Sequence, residues 1–310
     1  MTPKIYIDGQ EGTTGLQIYD RLSRRSDIDL LCIDPAQRKD PEARKKLLNA
    51  ADLVFLCLPD AAAVEAVSLL ENGRTRVIDA STAHRTAPGW TYGFPELHGQ
   101  RDLIQSARFV ANPGCYATGF ISLVRPLTEA GLLYGDAALV CHALSGYTGA
   151  GKKAIAQYEA PDRAPELDSP RHYALTLSHK HLPEMTALCG LTKPPIFAPI
   201  ICDYPQGMVV SVPLSLDQLA GGQTVESLAA LYADYYAGSP VVRTCPAPSD
   251  GFLAANDLAG KDTLQIFVQG NGQQVILLAR LDNLGKGASG AAVQNMNLML
   301  GFPETEGLAL

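Results

Sequence analysis

The first third of the chain carries four apolar, strand-like runs, Lys4–Asp8, Ile28–Asp34, Leu53–Leu58 and Arg76–Ala80, separated by helical patterns. The third run is hydrophobic at every position and is stopped by Pro59. A strand with no polar face has to be covered on both sides, which in a soluble domain means helices above and below a parallel sheet. An Ala-rich stretch, Asp60–Leu70, and an amphipathic run with Leu16, Ile18, Tyr19 and Leu22 predict two of those helices. The fold class expected is α/β, a Rossmann-type doubly wound sheet.

The texture changes after Cys115. A helix is predicted from Tyr116 to about Glu129, then a strand over Ala137–Leu144. Loops are expected around Ser145–Lys153 and Glu159–Pro170, where Pro, Gly and Tyr accumulate. Ile196–Ile201, Met208–Leu214, Leu264–Val268 and Val275–Leu281 read as strands with looser alternation, and one helical run, Thr224–Tyr235, interrupts them. That pattern predicts an inserted α+β domain with a mostly antiparallel sheet. The last helix, Ala288–Leu300, is apolar on most sides and is expected to return to the first domain. The organisation expected is residues 1–115 plus 285–310 as one domain and 116–284 as the second.

Composition narrows the partners. A net charge of −7 with only short basic runs gives no electrostatic footprint for nucleic acid or an anionic membrane. No apolar run approaches the about 18 residues that span a bilayer. Seven cysteines without any Cys-x-x-Cys pair imply free thiols in a reducing compartment, hence a cytoplasmic protein. Cys32, Cys57 and Cys141 sit inside apolar runs and are read as buried packing residues.

Gly9-x-x-Gly12-x-x-Gly15 lies between the first strand and the first helix. Glycines there let the chain turn sharply and let a pyrophosphate approach a helix N-terminus. The alternative is a tight turn with no ligand. Asp34 follows about 20 residues beyond the loop, where an acid binds the ribose 2′-hydroxyl of NAD. Arg38 and Lys39 come just after it and suit a 2′-phosphate instead, so the residues alone leave NAD and NADP open.

The segment Asn112-Pro113-Gly114-Cys115 ends an apolar strand and precedes an apolar helix. A thiol in the first turn of a helix is shifted toward thiolate, the form that attacks carbonyl carbon. A buried structural cysteine is the competing reading. Further on, His179-Lys180-His181-Leu182-Pro183-Glu184 packs two imidazoles and a carboxylate together, with Pro183 suited to a first helical turn. Either imidazole can exchange a proton with a thiol. A metal site is disfavoured, because no third ligand stands nearby and Lys180 opposes a cation. A Cys–His catalytic pair is the better account.

At these residues the sequence resembles the N-acetyl-gamma-glutamyl-phosphate reductases, in their shorter form. The matching segments are Gly9–Gly15, Asp79–Arg85, Tyr92–Leu97, Asn112–Thr118, Ser145–Lys152, His179–Glu184, Asp282–Asn297 and Gly301–Thr305. The resemblance implies NADPH-dependent reduction of N-acetyl-L-glutamyl 5-phosphate to the 5-semialdehyde, a step of arginine biosynthesis. It implies Cys115 as nucleophile and His179 as acid/base. On the substrate side it places Asn112, Arg85, Ser145, His181, Glu184 and Lys152. On the cofactor side it places Gly9, Gly12, Thr13, Gly15, Ser81, Asn283 and Lys286, with Lys286 also a candidate for phosphate or carboxylate. NADP is the cofactor implied, the first domain the dinucleotide-binding one, and the second a catalytic and oligomerisation domain building a homodimer or homotetramer. Ala83-His84-Arg85 departs from a segment that is often more acidic and aromatic. Three other readings remain: a related semialdehyde dehydrogenase acting on aspartyl phosphate, a nucleotide-sensing regulator without turnover, and a cysteine hydrolase.

Overall fold

The computed structural model describes residues 2–310. The chain forms two compact units, one of residues 2–113 and 288–308, the other of residues 114–287 with 309–310.

The first unit contains β1 (Lys4–Asp8), α1 (Thr13–Leu22), β2 (Asp29–Leu31), α2 (Pro41–Ala50), β3 (Leu53–Leu56), α3 (Asp60–Ser68), β4 (Arg76–Asp79), β5 (Thr91–Tyr92), α4 (Gln100–Ser106), β6 (Phe109–Ala111) and α9 (Gly290–Leu300). Its six strands run in the order β2-β1-β3-β4-β6-β5, every pairing parallel. Alternation along each strand divides the apolar side chains between two cores. Ile5, Ile7 and Phe55 face Ile18 and Leu22 of α1 and Val293 and Met296 of α9. Tyr6, Val54 and Leu56 face Leu48 of α2 and Ala63 of α3. Covering both faces is why β3 is apolar throughout and the polar residues of β1 and β4 fall at their ends. The helix α9 packs against α1, α4 and β4, and all but its last residue is buried.

The second unit opens with α5 (Cys115–Glu129), followed by β7 (Val140–Gly146), α6 (Lys152–Tyr158), β8 (Arg171–His172), α7 (Leu182–Leu188), β9 (Ile196–Cys202), β10 (Met208–Ser215), α8 (Val225–Tyr235), β11 (Val242–Thr244), β12 (Leu264–Gly270) and β13 (Gln274–Leu281). The seven strands are ordered β11-β12-β13-β10-β7-β9-β8. β11–β12 and β7–β9 are parallel and the other pairings antiparallel. α5 and α8 cover one face of this sheet. Pro126 inside α5 has no N–H for the Ser122 carbonyl. Tyr236, just past α8, supplies the missing donor: its hydroxyl donates to Ser122 O at 2.8 Å, and that of Tyr232 donates to Leu123 O.

The parallel sheet and the mixed, mostly antiparallel sheet match the fold class expected, while local details differ. β2 ends at Leu31 because the chain turns at Asp34, whose carboxylate accepts the Ala36 N–H at 2.9 Å. Cys32 is therefore exposed rather than packed. The expected loop Ser145–Lys153 is in part the end of β7, a 3₁₀ turn (Tyr147–Ala150) and the start of α6. The second unit has the short helices α6 and α7 in addition to α8, each seven residues long and too brief to show periodicity.

Candidate active site

In the first unit a cleft of about 790 Å³ opens at the carboxyl end of β1, lined by Gly9, Glu11, Gly12, Arg38, Lys39 and Pro59 among others. Gly9 has φ +90°, and a Cβ there would stand 2.4 Å from Cys57 O. A Cβ on Gly15 would stand 2.5 Å from Gly9 O, so helix and loop touch backbone to backbone. Gly12 differs: a Cβ would meet nothing nearer than 3.5 Å, and its backbone is extended. Nothing in the protein demands a glycine there, yet it lines the cleft. It is also the N-cap of α1 without a side-chain cap, and Thr13 opens the helix. First-turn N–H groups beside a Cβ-free cradle fit a dinucleotide pyrophosphate. Asp34, which spacing alone offers as one of two alternatives for the ribose, is exposed, caps its own turn and does not line the cleft.

Ser81 follows β4, and its hydroxyl donates at 2.6 Å to the fully buried Asp79, which also holds His84 Nδ1 at 2.6 Å. Arg85 Nε donates to Asn112 O at 3.0 Å. Asn112 is 1 % exposed; its Nδ2 donates to Ala288 O at 2.9 Å and its Oδ1 accepts from Asn295 at 3.2 Å. These bonds hold the loop that leads to Cys115.

In the second unit Cys115 is the first residue of α5, half-buried, behind an N-cap, Gly114, with no side-chain cap. The Gly114 N–H donates to Glu184 Oε2 at 3.1 Å. The next ring, Tyr116, gathers the histidines: its centroid lies 5.8 Å from His179 and 5.9 Å from His181. Phe197 and Tyr173 flank His179 at 5.0 and 6.0 Å. The Tyr116 hydroxyl is hydrogen-bonded with Tyr173 and Ser145, and burial first, then Tyr173 and Cys115, raises it well above its ordinary value. The His181 N–H donates to His179 Nδ1 at 3.1 Å, which puts the proton of the neutral ring on Nε2. Pro183 lies in the first turn of α7 with His181 as N-cap, the geometry its spacing predicts. Lys286 is 1 % exposed in a π-helical turn (Gly285–Ser289), and a Cβ on Gly287 would stand 2.8 Å from Cys115 Cβ. That turn packs directly on the thiol residue.

The second unit thus gathers Cys115, Ser145, His179, His181 and Glu184 around residues 114–116, with Lys286 in the adjoining turn. Asn283 stands further back, holding Gly207 N and Thr148 Oγ1 at 2.9 and 3.0 Å. Lys152 is exposed on the first turn of α6. Tyr116 and Tyr173 were not singled out from the sequence. Tyr116 adjoins the thiol, but nothing local marks Tyr173, which reaches the cluster only through the fold.

Residues 4–107 match the profile described as semialdehyde dehydrogenase, NAD binding domain, and residues 115–283 that of the semialdehyde dehydrogenase dimerisation domain. The chain is 53% identical over 308 residues to the N-acetyl-gamma-glutamyl-phosphate reductase of Rhizobium etli, covering 97% of this chain and 99% of the relative. It is 49% identical over 319 residues to N-acetyl-gamma-glutamyl-phosphate reductase 2 of a Nostoc species, with 99% of both covered. Among solved structures, aspartate semialdehyde dehydrogenase II of Vibrio cholerae, complexed with ASA, superposes with a TM-score of 0.74 at 14% identity, covering 97% of this chain and 99% of that one. At that identity the likeness is one of fold. A nicotinamide dinucleotide is the cofactor of such a domain. The chain is a semialdehyde dehydrogenase-type oxidoreductase and belongs to the N-acetyl-gamma-glutamyl-phosphate reductase family.

Proposed function

We propose that this protein catalyses NADPH-dependent reduction of N-acetyl-L-glutamyl 5-phosphate to N-acetyl-L-glutamate 5-semialdehyde and phosphate, in the arginine pathway and in the cytoplasm. The observation that carries the reading is Cys115 at the mouth of α5 with the His179 and His181 rings against its neighbour Tyr116.

An acyl phosphate is an activated carbonyl with a good leaving group. The Cys115 thiolate, favoured by the first-turn N–H groups of α5, attacks the acyl carbon and phosphate departs, leaving a thioester on Cys115. A nicotinamide dinucleotide held at the glycine loop would supply the hydride that takes this acyl group to the aldehyde level. His179, its proton held on Nε2 by the His181 N–H, donates that proton to the thiohemiacetal oxyanion and takes it back as the C–S bond breaks, which releases the aldehyde and regenerates the Cys115 thiolate. Glu184 and Asn112 fix the backbone on either side of Pro113, keeping the N–H groups aimed where the oxyanion forms. Arg85 and Lys286 are assigned to the substrate's phosphate and carboxylate.

Gly9, Gly12, Thr13 and Gly15 hold the pyrophosphate, and Ser81 lies on the same side. NADP rather than NAD is favoured because Arg38 and Lys39 line the cleft while Asp34 turns away from it. A homodimer or homotetramer is supported by the outer face of the second sheet, where Val140 and Ile196 are paired in register and exposed, and by exposed Ile276 on β13.

The test is phosphate-dependent NADP+ reduction with N-acetylglutamate semialdehyde, run beside aspartate semialdehyde. Turnover of the first substrate alone, lost in Cys115→Ser with NADP+ binding retained, is the expected result. Preference for aspartate semialdehyde, or near-normal turnover by the serine variant, overturns the reading.

A further inference from the structure

The charges that line the nucleotide cleft are not equally available to a ligand. Arg44 projects from α2 to Asp8 at the end of β1, with Nη2 and Oδ2 2.9 Å apart and the two side chains only 8% and 4% exposed. Its remaining terminal nitrogen lies 3.6 Å from Glu65. Drawing Arg44 toward a ligand would strand a buried carboxylate, so this cation is fixed in place. Lys39 lines the cleft with no ion pair among the described residues. Arg38 lies between these extremes. It pairs with Glu11, inside the glycine loop, and the two side chains are 46% and 64% exposed. Both residues line the cleft.

We propose that Glu11 is an exchangeable counter-ion for Arg38, a carboxylate that the 2′-phosphate of the cofactor displaces. The proposal rests on the NADP reading above. An exposed ion pair contributes little net free energy, so a dianion replaces the carboxylate readily. The uncharged 2′-hydroxyl of NAD has no such leverage, and the pair stays closed when NAD binds. Glu11 therefore lowers affinity for the phosphorylated cofactor selectively, and it does so only through Arg38. That selectivity separates the exchange from simple repulsion, since a carboxylate in the glycine loop that merely repelled phosphate would weaken both cofactors through their shared pyrophosphate.

The experiment is isothermal titration of NADP+ and NAD+ into the full chain at one fixed ionic strength, for wild type, Glu11→Gln, Arg38→Met and the double variant. Glu11→Gln is expected to tighten NADP+ about three- to fivefold, equivalent to ~0.6–1 kcal/mol, and to leave NAD+ within about twofold. In the Arg38→Met background the same change is expected to do nothing to NADP+. Glu11→Gln that leaves NADP+ unchanged or weaker, tightens both cofactors equally, or acts as strongly without Arg38 overturns the proposal. Wild type that binds both cofactors equally well overturns the NADP reading first, before any variant is compared. Both positions are exposed, and matching thermal melts establish that every variant is folded.

Discussion

The Glu184 carboxylate accepts the main-chain N–H of Gly114 at 3.1 Å, joining α7 to the residue immediately before Cys115. The bond places a buried negative charge beside the thiol it helps to orient, and a nearby anion opposes thiolate formation. Glu184→Gln keeps an acceptor for Gly114 and removes the charge, so the pH midpoint for alkylation of Cys115 should fall. Glu184→Ala strands a buried N–H and should cost about 1–3 kcal/mol of stability. Alkylation profiled against pH, beside thermal melts, separates the two roles. An unmoved midpoint in the glutamine variant would mean the carboxylate acts through geometry alone.

His179 presents Nε2 as its proton-bearing atom because Nδ1 accepts from the His181 N–H. Removing a positioned acid/base group costs on the order of 10²–10⁴ in rate. His179→Asn should fall in that range for kcat/KM and lose one limb of the pH profile. His181→Asn should keep the limb, since its backbone donor survives. If the limb persists in the first variant and disappears in the second, the roles of the two rings are exchanged.

Much of this site was legible in the sequence because its chemistry is local. The turn before Cys115, the glycine loop and the proline entry to α7 are each encoded within a few residues, and each appears where the spacing puts it. The parallel sheet was legible for the same reason, since strands such as 53–56 carry no polar face to hide. What was not legible depends on distance in the chain. Tyr173 joins Tyr116 and His179 only because β8 lies at the sheet edge beside β9. Asp34 looked like a ribose ligand by spacing, but its short side chain finds the Ala36 N–H first, and the strand ends before it. The 3₁₀ turn Tyr147–Ala150 and α6, separated by Gly151, carry too few turns for a period to show.

The proline in α5 makes a stability prediction independent of the chemistry. Tyr236→Phe removes the hydroxyl that serves the Ser122 carbonyl and should cost about 1–2 kcal/mol, read as a drop of a few degrees in Tm. Turnover should be unchanged, because the bond lies about two turns along α5 from Cys115. Pro126→Ala in the same background restores an N–H to Ser122 O and should recover part of the loss. No recovery would show that the tyrosine stabilises by packing instead.

Cys57 lies at the floor of the nucleotide cleft, where burial first, and then the charges of Asp79 and Asp8, push its thiol from 9.0 up to about 12. The folded state therefore holds this proton more tightly than the unfolded chain does. Its contribution to stability is complete below pH 9.0 and is lost as the pH rises through that value toward about 12. Cys141 and Tyr232, also raised by burial, act in the same direction. Stability measured by denaturant titration should fall steadily above about pH 9, and Cys57→Ala should make that fall shallower by up to one proton's worth, ~1.4 kcal/mol per pH unit. The thiol should also resist alkylation at pH 8 while Cys115 reacts. Wild type and variant losing stability in parallel between pH 9 and 11 would show that Cys57 ionises as readily in the folded protein as in the unfolded chain.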